Sequence, residues 1–112
     1  MPYGLPPEAL DRLVALLRRE RRIRNIWLYG SRALGRETTG SDIDICLEAA
    51  SLWISELAVL ETQIDDLFLP WKVDLVLLHQ IDDPDLLAHI QRAGVEVKGY
   101  TASASEQQGR VG

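Results

Sequence analysis

Apolar positions along this chain recur in two periods, and the switches between them predict its elements. After Pro6-Pro7-Glu8, residues Leu10, Leu13, Val14 and Leu17 fall at i, i+3, i+4 and i+7 with Asp11 on the polar side, so the spacing predicts a helix to about Arg22. Residues 26–29, Ile-Trp-Leu-Tyr, read as a short strand that stops at Gly30. A short helix is expected over 31–34, and Gly35 and Gly40, with Thr38, Thr39 and Ser41, mark a loop. Residues 43–47 form a second strand, entered through an Asp42-Ile43-Asp44 alternation. Ser51 is a plausible N-cap for a helix over 52–68, whose buried stripe is Trp53, Leu57, Leu60, Ile64 and Leu67. Pro70 ends it before a third strand over 73–78. Asp83-Pro84-Asp85 is a capping residue followed by proline at the first helical position, with Leu86, Leu87 and Ile90 facing inward and Gly94 as the C-terminal cap. A short edge strand is expected over 95–97. The layout is α/β: a small mixed sheet covered by helices, one domain over 1–100, followed by a polar segment, 101–112, expected to be a mobile tail.

Composition narrows the function more than the fold. With 46% hydrophobic and 26% charged residues in 112 positions, the chain reads as an ordinary soluble domain. No apolar run is long enough to span a membrane and no signal-peptide layout opens the sequence, so a cytoplasmic location and no membrane partner are expected. One cysteine, Cys46, and two histidines, His79 and His89, argue against a disulfide, a zinc cluster or a histidine metal site. Cys46 alternates with Asp44, which places it on the carboxylate face as a small neutral filler. His89 suits a polar helix face as well as a ligand role, and the former is preferred; His79 lies five positions beyond Asp74, hence on the opposite face. A net charge of −5 argues against a nucleic acid held by a broad basic surface. The arginines at 18, 19, 21, 22 and 24 suit a solvated helix end, with a contact for an acidic partner or phosphates as the second reading.

The chemistry concentrates in GSRALGRETTGSDIDI, residues 30–45. Alternate residues of a strand share a face, so Asp42 and Asp44 point together while Ile43 and Ile45 point away. Aspartate is depleted in strands and repels a like charge beside it, so two on one face suggest a divalent cation. Asp74 sits in another apolar run, WKVDLVL. A helix start after Gly30-Ser31 would present unpaired N–H groups to a phosphate, although this is no Walker loop. Each aspartate also has a plain reading: Asp42 as a strand-entry residue, Asp44 paired with Arg32 or Arg36, Asp74 paired with Lys72.

Gly30-Ser31, ten intervening residues, Asp42-x-Asp44 and the later Asp74 together resemble the nucleotidyltransferase signature of the DNA polymerase β superfamily, and the length resembles its minimal (MNT) members. The resemblance covers LYGSRALG, SDIDI, a helix and VDLVLL, nearly the whole chain. It implies that Gly30 and Ser31, with Arg32 and Ser41 beside them, bind the nucleotide. It also implies that Asp42, Asp44 and Asp74 form the catalytic, metal-holding set for two Mg²⁺ ions, with ATP as substrate. Two ions stabilise the attacking and leaving oxygens of an in-line displacement, and Asp74 can take the acceptor's proton. Leu34 stands where many members carry a second arginine, and Thr38 and Thr39 stand where another often precedes SDIDI. Stand-alone members resemble the antitoxin of HEPN/MNT pairs, which implies AMP transfer to a tyrosine of a HEPN ribonuclease toxin as partner. The alternatives are a small-molecule, aminoglycoside-type transferase, which would need a further substrate domain, an antitoxin acting by contact alone, and a nucleic-acid-end transferase.

Overall fold

The computed structural model describes residues 2–98, so the tail expected over 101–112 lies outside the described residues. The element order is α1 (Pro7–Arg18), β1 (Asn25–Tyr29), α2 (Ser31–Leu34), β2 (Ile43–Glu48), α3 (Ile54–Asp65), β3 (Val73–Leu77), α4 (Pro84–Ala93) and β4 (Val95–Glu96), with 3₁₀ turns at Pro2–Gly4 and Leu78–Gln80. The strands form one mixed sheet in the order β3-β2-β1-β4. β1 is antiparallel to β2 and β4, whereas β2 and β3 are parallel. A parallel pair needs a long crossover, and α3 supplies it.

Strand alternation divides the apolar residues between two faces. Ile26, Leu28, Ile43, Ile45, Leu47 and Leu77 join the inner faces of α1 and α3 in the main core, where Leu5, Leu13 and Leu17 are fully buried. Each such side chain contributes about 1.5–3 kcal/mol by leaving water. On the opposite face Tyr29, Cys46 and Ile90 form a smaller cluster, joined by Trp27, Val76, Leu78, Ile81 and Leu86, with α4 as its cover.

Differences from the expected elements have local causes. α1 stops at Arg18 rather than near Arg22, because the N–H groups of Arg19 and Glu20 turn to the carbonyls three residues back, at Leu16 and Leu17. The Glu20 carboxylate then accepts the Arg22 backbone N–H at 2.9 Å, reversing the chain so that Ile23 is buried. Arg22 also pairs with Glu20 at 2.8 Å and Glu56 at 2.7 Å, while Arg18, Arg19, Arg21 and Arg24 are exposed. The solvated reading of this arginine-rich end therefore accounts for its structure.

Ser51 is not the cap of α3. The helix starts at Ile54, and the Glu56 carboxylate reaches back to the Trp53 N–H at 3.0 Å. Trp53, expected in the buried stripe, is 73% exposed because it precedes the first helical turn; Leu57, Leu60 and Ile64 are buried. α3 ends at Asp65, and Phe68 takes a left-handed φ of 54° in the turn toward Pro70. Asp83 caps α4 as expected, accepting the Asp85 N–H at 2.9 Å. Gly94 follows that helix in extended geometry (φ −62°), so left-handed freedom is not its role there. A Cβ at this position would collide with the Ile90 carbonyl. Among the described residues no helix is long and apolar enough to cross a membrane.

Candidate functional site

The sheet register assembles the site. Tyr29 lies opposite Asp44, and Asp44 opposite Asp74, so the three occupy one row across β1, β2 and β3 on the face covered by α4. The next row is Trp27, Cys46 and Val76, apolar and partly or fully buried. The carboxylates therefore sit at the end of a small apolar patch. Asp42 precedes β2 by one residue and is exposed.

The electrostatics record this crowding. Burial, then the charges of Asp74 and Asp42, push the Asp44 carboxyl above its ordinary range. Burial first, then Asp44, Cys46 and Asp74, push the Tyr29 phenol up to about 12. Buried Cys46 is pushed up to about 11 by burial and Glu48, a neutral filler rather than a thiolate. Asp44 forms no ion pair with Arg32 or Arg36 among the described residues. Asp74 does meet Lys72, at 3.4 Å, but both side chains are substantially exposed, and such a pair adds little.

Gly30 has a backbone conformation, φ 76° and ψ −155°, that is essentially confined to glycine. A Cβ there would strike the Asp44 carboxylate. Backbone thus approaches the acid directly, and the turn delivers Ser31 to the head of α2. The carbonyl of Gly30 accepts the Leu34 N–H at 3.2 Å, and its own N–H donates to His89 Nε2 at 3.0 Å. The His89 ring also meets Tyr29 edge-on, with centroids 6.1 Å apart. His89 therefore lies at the site, contrary to its reading as a polar-face residue; the sequence signal was only its place on the helix predicted between Asp83 and Gly94.

Arg32 and Ser41 both have structural tasks in the fold. Arg32 is 2% exposed. Its Nε and one terminal nitrogen donate to the Ser41 carbonyl at 3.2 and 2.8 Å, and the other terminal nitrogen donates to the carbonyls of Tyr3 (2.8 Å) and Gly4 (3.2 Å). Its guanidinium also lies 5.6 Å from the centre of the Trp71 ring, and the Trp71 N–H donates to Thr39. The Ser41 hydroxyl accepts the Thr38 N–H at 2.9 Å. These contacts fix the loop that leads into Asp42. Trp71 and Tyr29 carried no signal in the sequence beyond a place in an apolar run.

The donor set suits Mg²⁺, a hard cation usually held by one or two carboxylates plus substrate phosphates. The crowding of the half-buried Asp44 carboxyl by Asp74 and Asp42 is the observation that fits it. Among the described residues no three His, Cys, Asp or Glu side chains are grouped to hold a metal alone, so substrate oxygens would complete the coordination.

Comparison with known proteins follows the same lines. No curated protein sequence matches significantly. Among solved structures, the chain is similar to one from a toxin–antitoxin complex with AMP-PNP, at 23% identity and TM-score 0.66, covering 96% of both chains. It is also similar to a chain of the MntA-HepT toxin–antitoxin, at 23% identity and TM-score 0.63, covering 88% of this chain and 76% of that one. A third is a complex from Shewanella oneidensis of a tri-AMPylated HEPN toxin with its MNT antitoxin, again at 23% identity, TM-score 0.63 and the same coverage. At this identity the likeness establishes the fold. The family model for polymerase beta nucleotidyltransferases matches residues 11–101, and the chain belongs to that family.

Proposed function

We propose that this chain transfers AMP from ATP, with Mg²⁺, to a tyrosine hydroxyl of a partner HEPN ribonuclease, and that it acts thereby as that toxin's antitoxin. The observation that carries the reading is the register pair Asp44 and Asp74, with Gly30 backbone against the first carboxylate. Support for the acceptor comes from the similar fold of antitoxin-containing complexes, one with a tri-AMPylated HEPN toxin.

In this reading Gly30 and Ser31 form the triphosphate-binding turn, Gly30 by letting the phosphates approach the backbone closely and Ser31 through its N–H and hydroxyl. Arg32 and Ser41 hold the loop that aims Asp42. Asp42 and Asp44 hold Mg²⁺, with Asp74 at the edge of the same set. Bound Mg²⁺ would supply charge neutralisation on the phosphates and acidify the acceptor hydroxyl. The hydroxyl oxygen attacks the α-phosphorus, Asp74 takes its proton, and the bond to pyrophosphate breaks. A phosphodiester joins AMP to the acceptor, and pyrophosphate leaves.

The test is label transfer to a co-expressed partner protein, with α-labelled and γ-labelled ATP compared. AMP transfer marks the partner from the α-label alone, requires Mg²⁺, and is lost in the Asp42→Asn/Asp44→Asn double variant and in EDTA. An unmarked partner that both forms of the chain still bind and silence would replace this reading with neutralisation by contact.

A further inference from the structure

We infer that His89, on α4, is a positioning residue for the Gly30-Ser31 turn. The observation is the hydrogen bond from the Gly30 N–H to Nε2, at 3.0 Å. β1 ends at Tyr29, so Gly30 lies past the β1–β2 pairing and its N–H has no strand partner. His89 supplies the missing acceptor. The two peptide planes flanking Gly30 are then held from both sides: His89 fixes the plane before it, and the Leu34 N–H, bonded to the Gly30 carbonyl, fixes the plane after it. Between them they hold φ 76° and ψ −155°, the conformation that brings backbone against Asp44 and aims the Ser31 N–H.

The identity of the residue matters. Nε2 can accept only when it carries no proton, so the neutral ring has its hydrogen on Nδ1. The edge-on contact with Tyr29 and the placement of α4 over β1 orient the imidazole for this bond. α4 thereby does more than cover the sheet: it sets the geometry of a turn 59 positions earlier in the sequence.

The consequence for nucleotide binding rests on the proposed function, whereas the positioning itself does not, and the experiment separates the two. Amide hydrogen exchange at Gly30 is measured by NMR in the nucleotide-free wild-type chain and in His89→Gln and His89→Ala, alongside the tautomer of His89 from its ring nitrogen shifts. The wild type is expected to hold the Nδ1–H tautomer with a protected Gly30 amide. His89→Gln, whose side-chain oxygen can accept, keeps much of that protection. In His89→Ala exchange accelerates by about tenfold or more at Gly30 while amides of β2 are unchanged. Affinity for AMP-PNP with Mg²⁺ is then expected to fall about 10–100-fold in His89→Ala and to recover in His89→Gln. A Gly30 amide equally protected in all three chains, or an Nε2–H tautomer in the wild type, overturns the inference. Loss of Gly30 protection in His89→Ala without nucleotide binding by any chain upholds the inference and overturns the proposed function instead.

Discussion

Asp44 is a residue whose placement costs stability. Its carboxyl is held above the ordinary range by burial and by two other aspartates, so ionising it costs more in the fold than in the unfolded chain. Asp44→Asn removes that charge while keeping nearly the same shape. The expected result is a metal-free chain that melts a few degrees higher but transfers nothing, a loss of roughly 10²-fold or more in rate, since altering even the outer partners of a metal ligand costs 10–100-fold. Thermal melts in EDTA, set beside label-transfer assays, check both halves. Asp44 and Asp74 stood out in the sequence because each interrupts an apolar strand, and the register sets them side by side. The place of His89 and the backbone partners of Arg32 were not legible, since which amide a histidine meets, or which carbonyl an arginine reaches, is decided by tertiary packing that no spacing encodes.

Among the elements, α4 carries the clearest sequence signal and the least obvious task. Asp83 caps it and Pro84 opens it, both as the sequence predicts. Asp83→Ala is expected to lower stability by about 1 kcal/mol, the usual cost of a lost cap, which denaturant melts would register. The ends of α1 and α3 were harder to place. Arg19 to Arg22 could have continued the helix by propensity, and the Glu20 hydrogen bonds that reverse the chain depend on where Ile23 finds its pocket. Trp53 has helical spacing relative to Leu57 and Leu60, yet lies outside the helix and in solvent. Periodicity locates the inner part of an element, while side chains outside the period set its ends.

For the molecule as a whole, two groups tie stability to pH in opposite senses. The stabilising contribution of protonated Asp44 is complete below the ordinary carboxylate range and is lost as the pH rises through its raised value. Glu20, held at about 2 by hydrogen bonds from Arg22, contributes above the ordinary range and loses that contribution as the pH falls. The Glu20 pair lies at the exposed end of α1, where screening leaves little of it. In metal-free buffer, therefore, the advantage of Asp44→Asn over the wild type should be widest near pH 7 and should close as the pH drops through the range where Asp44 protonates. Paired melts across that range would refute the assignment if the gap stayed constant.

The row of Tyr29, Asp44 and Asp74 has an experimental consequence of its own. It places a chromophore beside the charges that matter. Part of what holds the phenol near 12 is repulsion from Asp44 and Asp74. A cation seated on those carboxylates removes that part, so Tyr29 gives up its proton at lower pH. The alkaline ultraviolet difference between the chain and Tyr29→Phe then reports whether a cation sits on that row.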